Sequence, residues 1–217
     1  MEKINSFKEL LKVKPENGDY EKWFSEIAKL MFLNYCINSG GNKIGIVEIE
    51  FYFKDDQHVD PYIHGRDQQM TNGKWYFNDF GLDLTFGKEK DYHGGILIRG
   101  ICEKDYKGDN EFTFGPSKIL RKIFDNMKDA FNPGFHLEMD SNRIDSNTIY
   151  LIQTKRINLP KKENDNGFGE KLYRYVLYRQ ELNHPKLPKK DLIDKSIKSY
   201  LLGQPVNEKE IKITKLN

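Results

Sequence analysis

Two carboxylates and a tyrosine alternate along an otherwise apolar segment, residues 45–52, which reads GIVEIEFY. Side chains alternate across a strand, so Glu48, Glu50 and Tyr52 share one face and the apolar residues share the other. A carboxylate beside a tyrosine can orient or deprotonate water next to an aromatic surface. This arrangement suits hydrolysis of a bond to a flat, stackable group. The alternative is an ordinary half-exposed strand with one solvated face.

Composition limits the classes of function. A chain of 217 residues with 13% aromatic residues can bury a substantial core and most simply forms one domain. The net charge is only +2, so a nucleic-acid partner requires local clusters of lysine and arginine. Two cysteines, Cys36 and Cys102, indicate a reducing compartment and exclude a zinc ribbon. Without an amino-terminal apolar run or a stretch of membrane-spanning length, we expect a cytoplasmic protein that has no membrane partner.

The chain divides into three regions. Residues 1–43 are predicted to form amino-terminal helices: a short one capped by Ser6, and a longer one that Asp19 caps and that ends within 38–42. Residues 180–217 are predicted to form a helical tail. The core between them, residues 44–179, is predicted to hold a helix at 116–127 and six strands. The predicted strands are 45–53, 75–77, 82–86, 95–102, 148–155 and 171–179.

Strands and helices mix without regular alternation, which is typical of an α+β fold. We therefore expect a single domain with a largely antiparallel, curved β-sheet flanked by helices. Residues 54–72 are too long for a simple hairpin turn, and loops of this size are often functional.

Several motifs occur in an order found in one enzyme family. They are IVEIEFY at 46–52, His64, GKWYF at 73–77, FG at 80–81, LIRG at 97–100, GPSK at 115–118 and LYRY at 172–175. In order and approximate spacing the chain resembles the alkyladenine (3-methyladenine) DNA glycosylase family from about residue 44 to 178. The resemblance implies that family's fold and a base-excision activity on damaged DNA.

The resemblance implies a chemistry for two residues. Such enzymes flip a nucleotide out of the DNA stack and hydrolyse its N-glycosidic bond. Glu50 corresponds to the carboxylate that activates water as a general base and stabilises positive charge on the sugar. Arg99 corresponds to an arginine that lines the active site near this acid. The reaction requires no cofactor and no metal. We expect no lyase step, since the Glu50 strand carries no lysine.

The resemblance also implies a base pocket and a DNA surface. Tyr52 would stack on the flipped base, and His64 with Tyr76 or Phe77 would complete the pocket. Phe80 corresponds to the side chain that wedges into the duplex. Two cations near the start of the predicted helix at 116–127, Lys118 and Arg121, would contact phosphate. The expected partner is double-stranded DNA carrying a modified base, bound by a monomer.

The chain also departs from the family pattern. RDQQM at 66–70 replaces the family's threonine-proline-arginine-asparagine segment. The asparagine that helps to select the base falls near Gly87, with Asp83 and Thr85 as nearby polar substitutes. His64 follows Tyr52 three residues later than the family histidine. The pocket is therefore remodelled, and the excised base does not follow from the sequence.

Alternatives stay open at this stage. The protein can be a glycosylase-like module that has lost catalysis and binds nucleic acid or a nucleotide, or an N-glycosidase of free nucleosides. Arg99 can simply pair with a buried acid, and Lys118 and Arg121 can form an ordinary solvated helix face. A loop containing His58, His64 and an aspartate between them can bind a metal, although the spacing matches no standard pattern.

Overall fold

The computed structural model describes residues 2–16, 18–79, 81–103, 111–127, 130–131, 134–140, 149–179 and 186–216, with side chains from Phe7 onward. The helices are α1 (Glu2–Lys12), α2 (Tyr20–Asn34), α3 (Pro116–Asn126) and α4 (Lys190–Leu201). The strands are β1 (Tyr35–Ser39), β2 (Asn42–Lys54), β3 (Asn72–Asn78), β4 (Gly81–Phe86), β5 (His93–Glu103), β6 (Glu111–Phe114), β7 (Phe135–Met139), β8 (Ile149–Thr154), β9 (Arg174–Arg179) and β10 (Ile211–Leu216).

The described strands form one antiparallel sheet. Its main path runs β10-β8-β9-β2-β5-β4-β3; β1 also pairs with β2 and β7, and β6 pairs with β5. The long strand β2 has three partners, β1, β5 and β9, and is the centre of the fold. The predicted α+β class, with one domain and a largely antiparallel sheet, is confirmed.

The apolar face of β2 packs against α2. Asp19 caps α2 by accepting a hydrogen bond from the Lys22 backbone N–H at 3.2 Å, as the sequence predicts. The ring of Phe24 stacks on Phe51 with centroids 4.5 Å apart, and both side chains are fully buried. Because strand side chains alternate, Glu50 points to the opposite side of the sheet from Phe51. The core thus occupies one face, and the predicted chemistry occupies the other.

Two sequence predictions for the amino-terminal region are wrong in detail. Helix α1 already begins at Glu2, ahead of the predicted Ser6 cap. Helix α2 ends at Asn34, and β1 and β2 form a hairpin where the sequence was interpreted as a helix end. Gly40 and Gly41 have φ angles of 57° and 84°, and a two-residue hairpin turn of this kind needs positive φ at both positions.

The carboxy-terminal region is only partly helical. Helix α4 forms as predicted, but the chain then returns as β10, which pairs along its whole length with β8. The helical tail predicted for 180–217 is therefore incomplete. Among the described helices, none combines the length and apolar character needed to cross a bilayer.

Candidate active site

Register across the sheet brings two acids onto one row. Glu50 on β2 lies opposite Leu97 on β5, and Leu97 lies opposite Asp83 on β4, which in turn lies opposite Tyr76 on β3. Residues paired directly across strands point to the same face. Two strand spacings separate the backbones of Glu50 and Asp83 by roughly 9–10 Å. Both acids therefore share the face turned away from α2.

A cavity of about 460 Å³ opens on this face. Its floor is the polar side of β2, β4 and β5, and its walls are the loop before β3, the segment 157–162 and the first turn of α3. The lining residues are Tyr52, Tyr62, Ile63, His64, Gln69, Asn78, Asp83, Leu97, Arg99, Pro116, Ser117, Ile157, Asn158, Leu159, Pro160 and Lys162. The volume is in the range of small-molecule sites.

Glu50 lies behind the wall of this cavity and has no exposed surface. Its Oε2 accepts hydrogen bonds from the Tyr52 hydroxyl at 2.8 Å and from Arg99 Nη1 at 3.2 Å, and its Oε1 accepts one from the Ile157 N–H at 2.9 Å. Burial raises the pKa of Glu50, while the Arg99 charge and these hydrogen bonds oppose the rise. A carboxylate with a raised pKa is a stronger base, and Oε1 retains a second acceptor position.

Arg99 lies between the cavity and two buried acids. Its side chain lines the cavity, and besides Glu50 it meets Glu48, with Nε 3.5 Å from Oε1. The two sequence hypotheses for Arg99, a cavity-lining cation and a partner of a buried acid, therefore both describe its position.

Glu48 is fully buried and forms salt bridges beside Glu50. Arg174 Nε donates to its Oε1 at 2.7 Å. Within the described residues, Glu48 Oε2 and Arg99 Nε are buried atoms that have no hydrogen-bond partner. Unsatisfied buried groups of this kind typically cost about 1–3 kcal/mol each.

Tyr52 links the buried acid to the cavity. Its hydroxyl bonds Glu50, its ring lines the cavity, and the guanidinium of Arg156 lies 4.7 Å from the ring centroid. Arg156 is held in place by Asp60 at 2.6 and 3.2 Å and by the Phe51 carbonyl at 3.1 Å. Burial and the neighbouring Glu50 raise the pKa of Tyr52 well above its usual value, so it remains a hydroxyl donor. Sequence reasoning missed Arg156.

His64 lies beside Tyr76, which is itself not among the residues that line the cavity. His64 lines the cavity, and its Nδ1 is 3.3 Å from the Tyr76 hydroxyl. Burial lowers the pKa of His64, which favours the neutral imidazole. Phe77 lies on the other side of β3, where its ring stacks on Phe124 with centroids 5.9 Å apart. Because adjacent strand residues point to opposite faces, Phe77 does not accompany Tyr76, and its assignment to the pocket is wrong.

Asp83 is the cavity acid that the sequence marked only as a nearby polar substitute. It is 3% exposed, and its Oδ1 accepts a hydrogen bond from Asn78 Nδ2 at 3.0 Å. A hydrogen bond from Gln69 also reaches it. Gly95, one strand away, leaves the space that Asp83 and Gln69 fill, since a Cβ there would lie 3.0 Å from Asp83 Oδ2. Burial, with a smaller contribution from the charge of Glu50, raises the pKa of Asp83 to about 7.

The predicted DNA-contacting residues lie at the edge of this site or outside the described residues. Lys118 and Arg121 are exposed on α3, whose first turn supplies Pro116 and Ser117 to the cavity wall. Their exposure fits both a phosphate contact and a solvated helix face. Phe80, the predicted duplex wedge, lies outside the described residues.

The residues of the alternative metal site have other partners. His58 is buried, with Nδ1 3.0 Å from the Phe53 carbonyl and Nε2 2.8 Å from the Tyr173 hydroxyl. Asp60 pairs with Arg156. Across the described part of the chain, no group of three or more histidine, cysteine or acidic residues is arranged to hold a metal ion.

Comparison with known proteins adds one relative. No protein-family model matches the chain. The chain is similar to the uncharacterized protein L759 of Acanthamoeba polyphaga mimivirus, with 27% identity over 208 residues that cover 79% of this chain and 94% of that protein. The similarity therefore extends across most of both chains, and the relative's name assigns no activity.

Proposed function

We propose that the protein is a monofunctional DNA N-glycosylase that flips a modified base into the cavity and hydrolyses its glycosidic bond. The proposal rests on the motif order that resembles alkyladenine DNA glycosylases and on one observation above all. Glu50, its hydrogen-bond donors Tyr52 and Arg99, and an aromatic-lined cavity lie on the same side of the sheet. The curved sheet of that family is the fold that we propose for this domain.

In this mechanism the flipped base enters the cavity and stacks on the ring of Tyr52, whose other neighbour is the Arg156 guanidinium. Stacking of a base on an aromatic ring is worth about 1–3 kcal/mol, which offsets much of the cost of unstacking. Glu50 accepts a proton from water through Oε1 and directs the water oxygen at the sugar carbon. Arg99 fixes the carboxylate, and its charge keeps Glu50 from taking up a proton too early.

A second candidate function is a protein that binds nucleic acid or a nucleotide without catalysis. The specific observation in its favour is that Glu50 has no exposed surface, while both of its oxygens already accept hydrogen bonds. The opposing argument is the cost of burial. A carboxylate with a raised pKa beside a cavity destabilises the fold unless its charge is used.

The deciding experiment compares Glu50→Gln with Glu48→Gln. Both variants remove one buried carboxylate charge from the same strand, and the free energy of unfolding of each variant is measured beside its rate so that a loss of stability is not mistaken for a loss of chemistry. We expect Glu50→Gln to slow base release from duplexes with defined modified bases by about 10²–10⁴-fold, the usual contribution of a general base. Binding to the same duplexes should be retained. Glu48→Gln should release base at a rate near that of the unchanged protein.

Mass spectrometry of the freed base gives the readout, together with alkali-sensitive cleavage of the DNA strand. Equal rates for the two variants would contradict the role of Glu50. A protein that shifts duplex mobility but frees no base from a broad panel of modified duplexes would establish the binding function instead.

A further inference from the structure

Two phenylalanines outside the cavity form an exposed aromatic surface, the aromatic platform. The rings of Phe77 on β3 and Phe124 on α3 stack with centroids 5.9 Å apart and planes 11° from parallel. Phe135 on β7 meets Phe77 edge-on at 5.9 Å, and Trp75 packs against Phe135 at 5.2 Å. Despite this support Phe77 is 47% exposed and Phe124 is 45% exposed. Exposed apolar side chains that adjoin one another, in contrast to single ones, often mark an interaction site.

The platform adjoins the mouth of the cavity. Phe77 is followed on β3 by Asn78, which lines the cavity, and so does Ser117, two turns before Phe124 on α3. Two helical turns span roughly 10–11 Å. Neighbouring nucleotides of one strand lie about 3.4 Å apart when stacked, so this is the length of about three nucleotides, or fewer in an extended strand. A strand whose flipped nucleotide occupies the cavity can therefore reach the platform.

Charges on α3 favour a polyanionic strand at this surface. Lys118 and Arg121 lie between the cavity and Phe124, and their spacing of three residues puts them on one side of the helix. Both are exposed, and within the described ranges neither forms an ion pair. The third cation of α3, Lys122, is paired with an acid on β5 at 2.7 Å, and the single acid of α3 is Asp125. Cations that contact phosphates beside rings that stack with bases are the elements by which proteins hold single-stranded nucleic acid.

An exposed ring distinguishes paired from unpaired bases. In a duplex the faces of each base are covered by its neighbours, so a protein ring gains a stacking contact only where a base has left the stack. Phe77 points to the opposite side of β3 from Tyr76 and Asn78, because strand side chains alternate. The platform therefore does not compete with the cavity for the flipped base and is available to a second base.

Building on the function proposed above, we propose that the aromatic platform binds an unpaired base within about three nucleotides of the flipped one, and that the preferred substrate is DNA that is single-stranded beside its modified base. Lys118 and Arg121 contact the phosphates of this stretch. Bubbles, bulges and strands displaced from a duplex belong to this class of substrate. The platform supplies affinity and takes no part in bond cleavage.

The test replaces Phe124 with alanine, a change on the exposed side of α3 that leaves the buried Ile119 and Ile123 in place. Tyr200→Ala is the matched control, because Tyr200 is 40% exposed, lies on another helix and contacts one other ring. Affinity is measured for an undamaged single strand and for its fully paired duplex. Each carries one 2-aminopurine, whose fluorescence falls when it stacks.

We expect Phe124→Ala to weaken single-strand binding by about 5–150-fold, the contribution of one base–aromatic contact, and to change duplex binding by less than about threefold. The loss of 2-aminopurine fluorescence on binding should disappear with it. Phe124→Trp should keep both properties, since indole also stacks with bases, and Tyr200→Ala should behave as the unchanged protein does. For any modified duplex that the unchanged protein cleaves, opening the base pairs beside the modified base should raise kcat/KM, and Phe124→Ala should remove this gain.

Equal affinities of Phe124→Ala and the unchanged protein for the single strand would overturn the proposal, and so would equal losses for single strand and duplex. A dimer that Phe124→Ala dissociates, measured by sedimentation without DNA, would assign the platform to a second copy of the chain instead. None of these outcomes concerns Glu50, whose role is decided by base release from paired duplexes. Conversely, a protein that frees no base contradicts the proposed glycosylase, while single-strand binding still decides the role of the platform.

Discussion

Replacing Asp83 with asparagine should stabilise the protein at alkaline pH and leave its stability nearly unchanged in acid. Folding raises the pKa of Asp83 from 3.8 to about 7. Between these values the folded protein holds a proton that the unfolded chain has lost. The stability contributed by the neutral acid is therefore fully present below the unfolded pKa and is lost as the pH rises through the folded pKa.

The size of the effect follows from the change in pKa. Each pKa unit corresponds to about 1.4 kcal/mol, so wild-type stability should fall by about 4 kcal/mol, relative to the Asp83→Asn variant, from about pH 4 to about pH 8. The other titrating groups are common to both proteins and cancel in the difference, apart from the small coupling between Asp83 and Glu50. The effect is independent of any enzymatic activity, so it tests the environment of Asp83 alone.

Urea unfolding followed by tryptophan fluorescence gives the measurement, because Trp23 is only 5% exposed in the core. Asp55→Asn provides a control of opposite sign. Hydrogen bonds from Lys14 and neighbouring backbone N–H groups lower the pKa of Asp55, so its contribution is present above the unfolded pKa and is lost as the pH falls. A free-energy difference between Asp83→Asn and wild type that stays constant from about pH 4 to about pH 8 would refute the reasoning.

Three further predictions concern the neighbourhood of the cavity. Tyr52→Phe removes the hydroxyl whose hydrogen bond lowers the pKa of Glu50. In a plot of base-release rate against pH, the rise on the acidic side should therefore move to higher pH, while the affinity for the duplex is kept. An unchanged position of this rise would count against Glu50 as the base. Arg156→Lys keeps a positive charge beside Asp60 but loses the two-point contact. It should cost about 1–3 kcal/mol in urea unfolding, and an unchanged free energy of unfolding would contradict this. Lys118→Ala should reduce by about 1 the steepness with which the logarithm of DNA affinity falls with the logarithm of salt concentration. An unchanged steepness would indicate that Lys118 lies on a solvated helix face without a phosphate contact.

Alternation along β2 was the part of the site that the sequence predicted best. A period of two separates Phe51 from Glu50 regardless of tertiary detail, and one buried aromatic face is enough to set the direction of all the side chains. The prediction that Glu50, Tyr52 and Arg99 lie together therefore depended only on local geometry and on two strands being neighbours. The same alternation predicts that Phe77 and Tyr76 point to opposite faces of β3. The family resemblance, in contrast, allows either residue to complete the pocket.

Asp83 and Arg156 could not be assigned in the same way because their roles depend on long-range register. Asp83 meets the site only through the order β2-β5-β4, with Leu97 between the two acids. Arg156 reaches Tyr52 from the segment after β8, about a hundred residues further along the chain. For Asp83 the sequence does contain a clue, since DLT at 83–85 places an acid inside an apolar strand. Ile211–Leu216 alternates only weakly between lysines, and this pattern does not predict the strand that pairs with β8.

The buried charges of this sheet face suggest which of them serve activity. A buried ion pair is often no more stabilising than apolar side chains of equal volume, so its presence is weak evidence for a role in stability. Glu48 and Arg174 form an ion pair away from the cavity, and the second carboxylate oxygen of Glu48 has no hydrogen bond. Asp83 lines the cavity, and Glu50 lies behind the cavity wall, where it bonds to the lining residues Tyr52 and Arg99. A sheet under selection for stability alone would replace both acids with apolar residues, so their retention beside the cavity favours a role in activity.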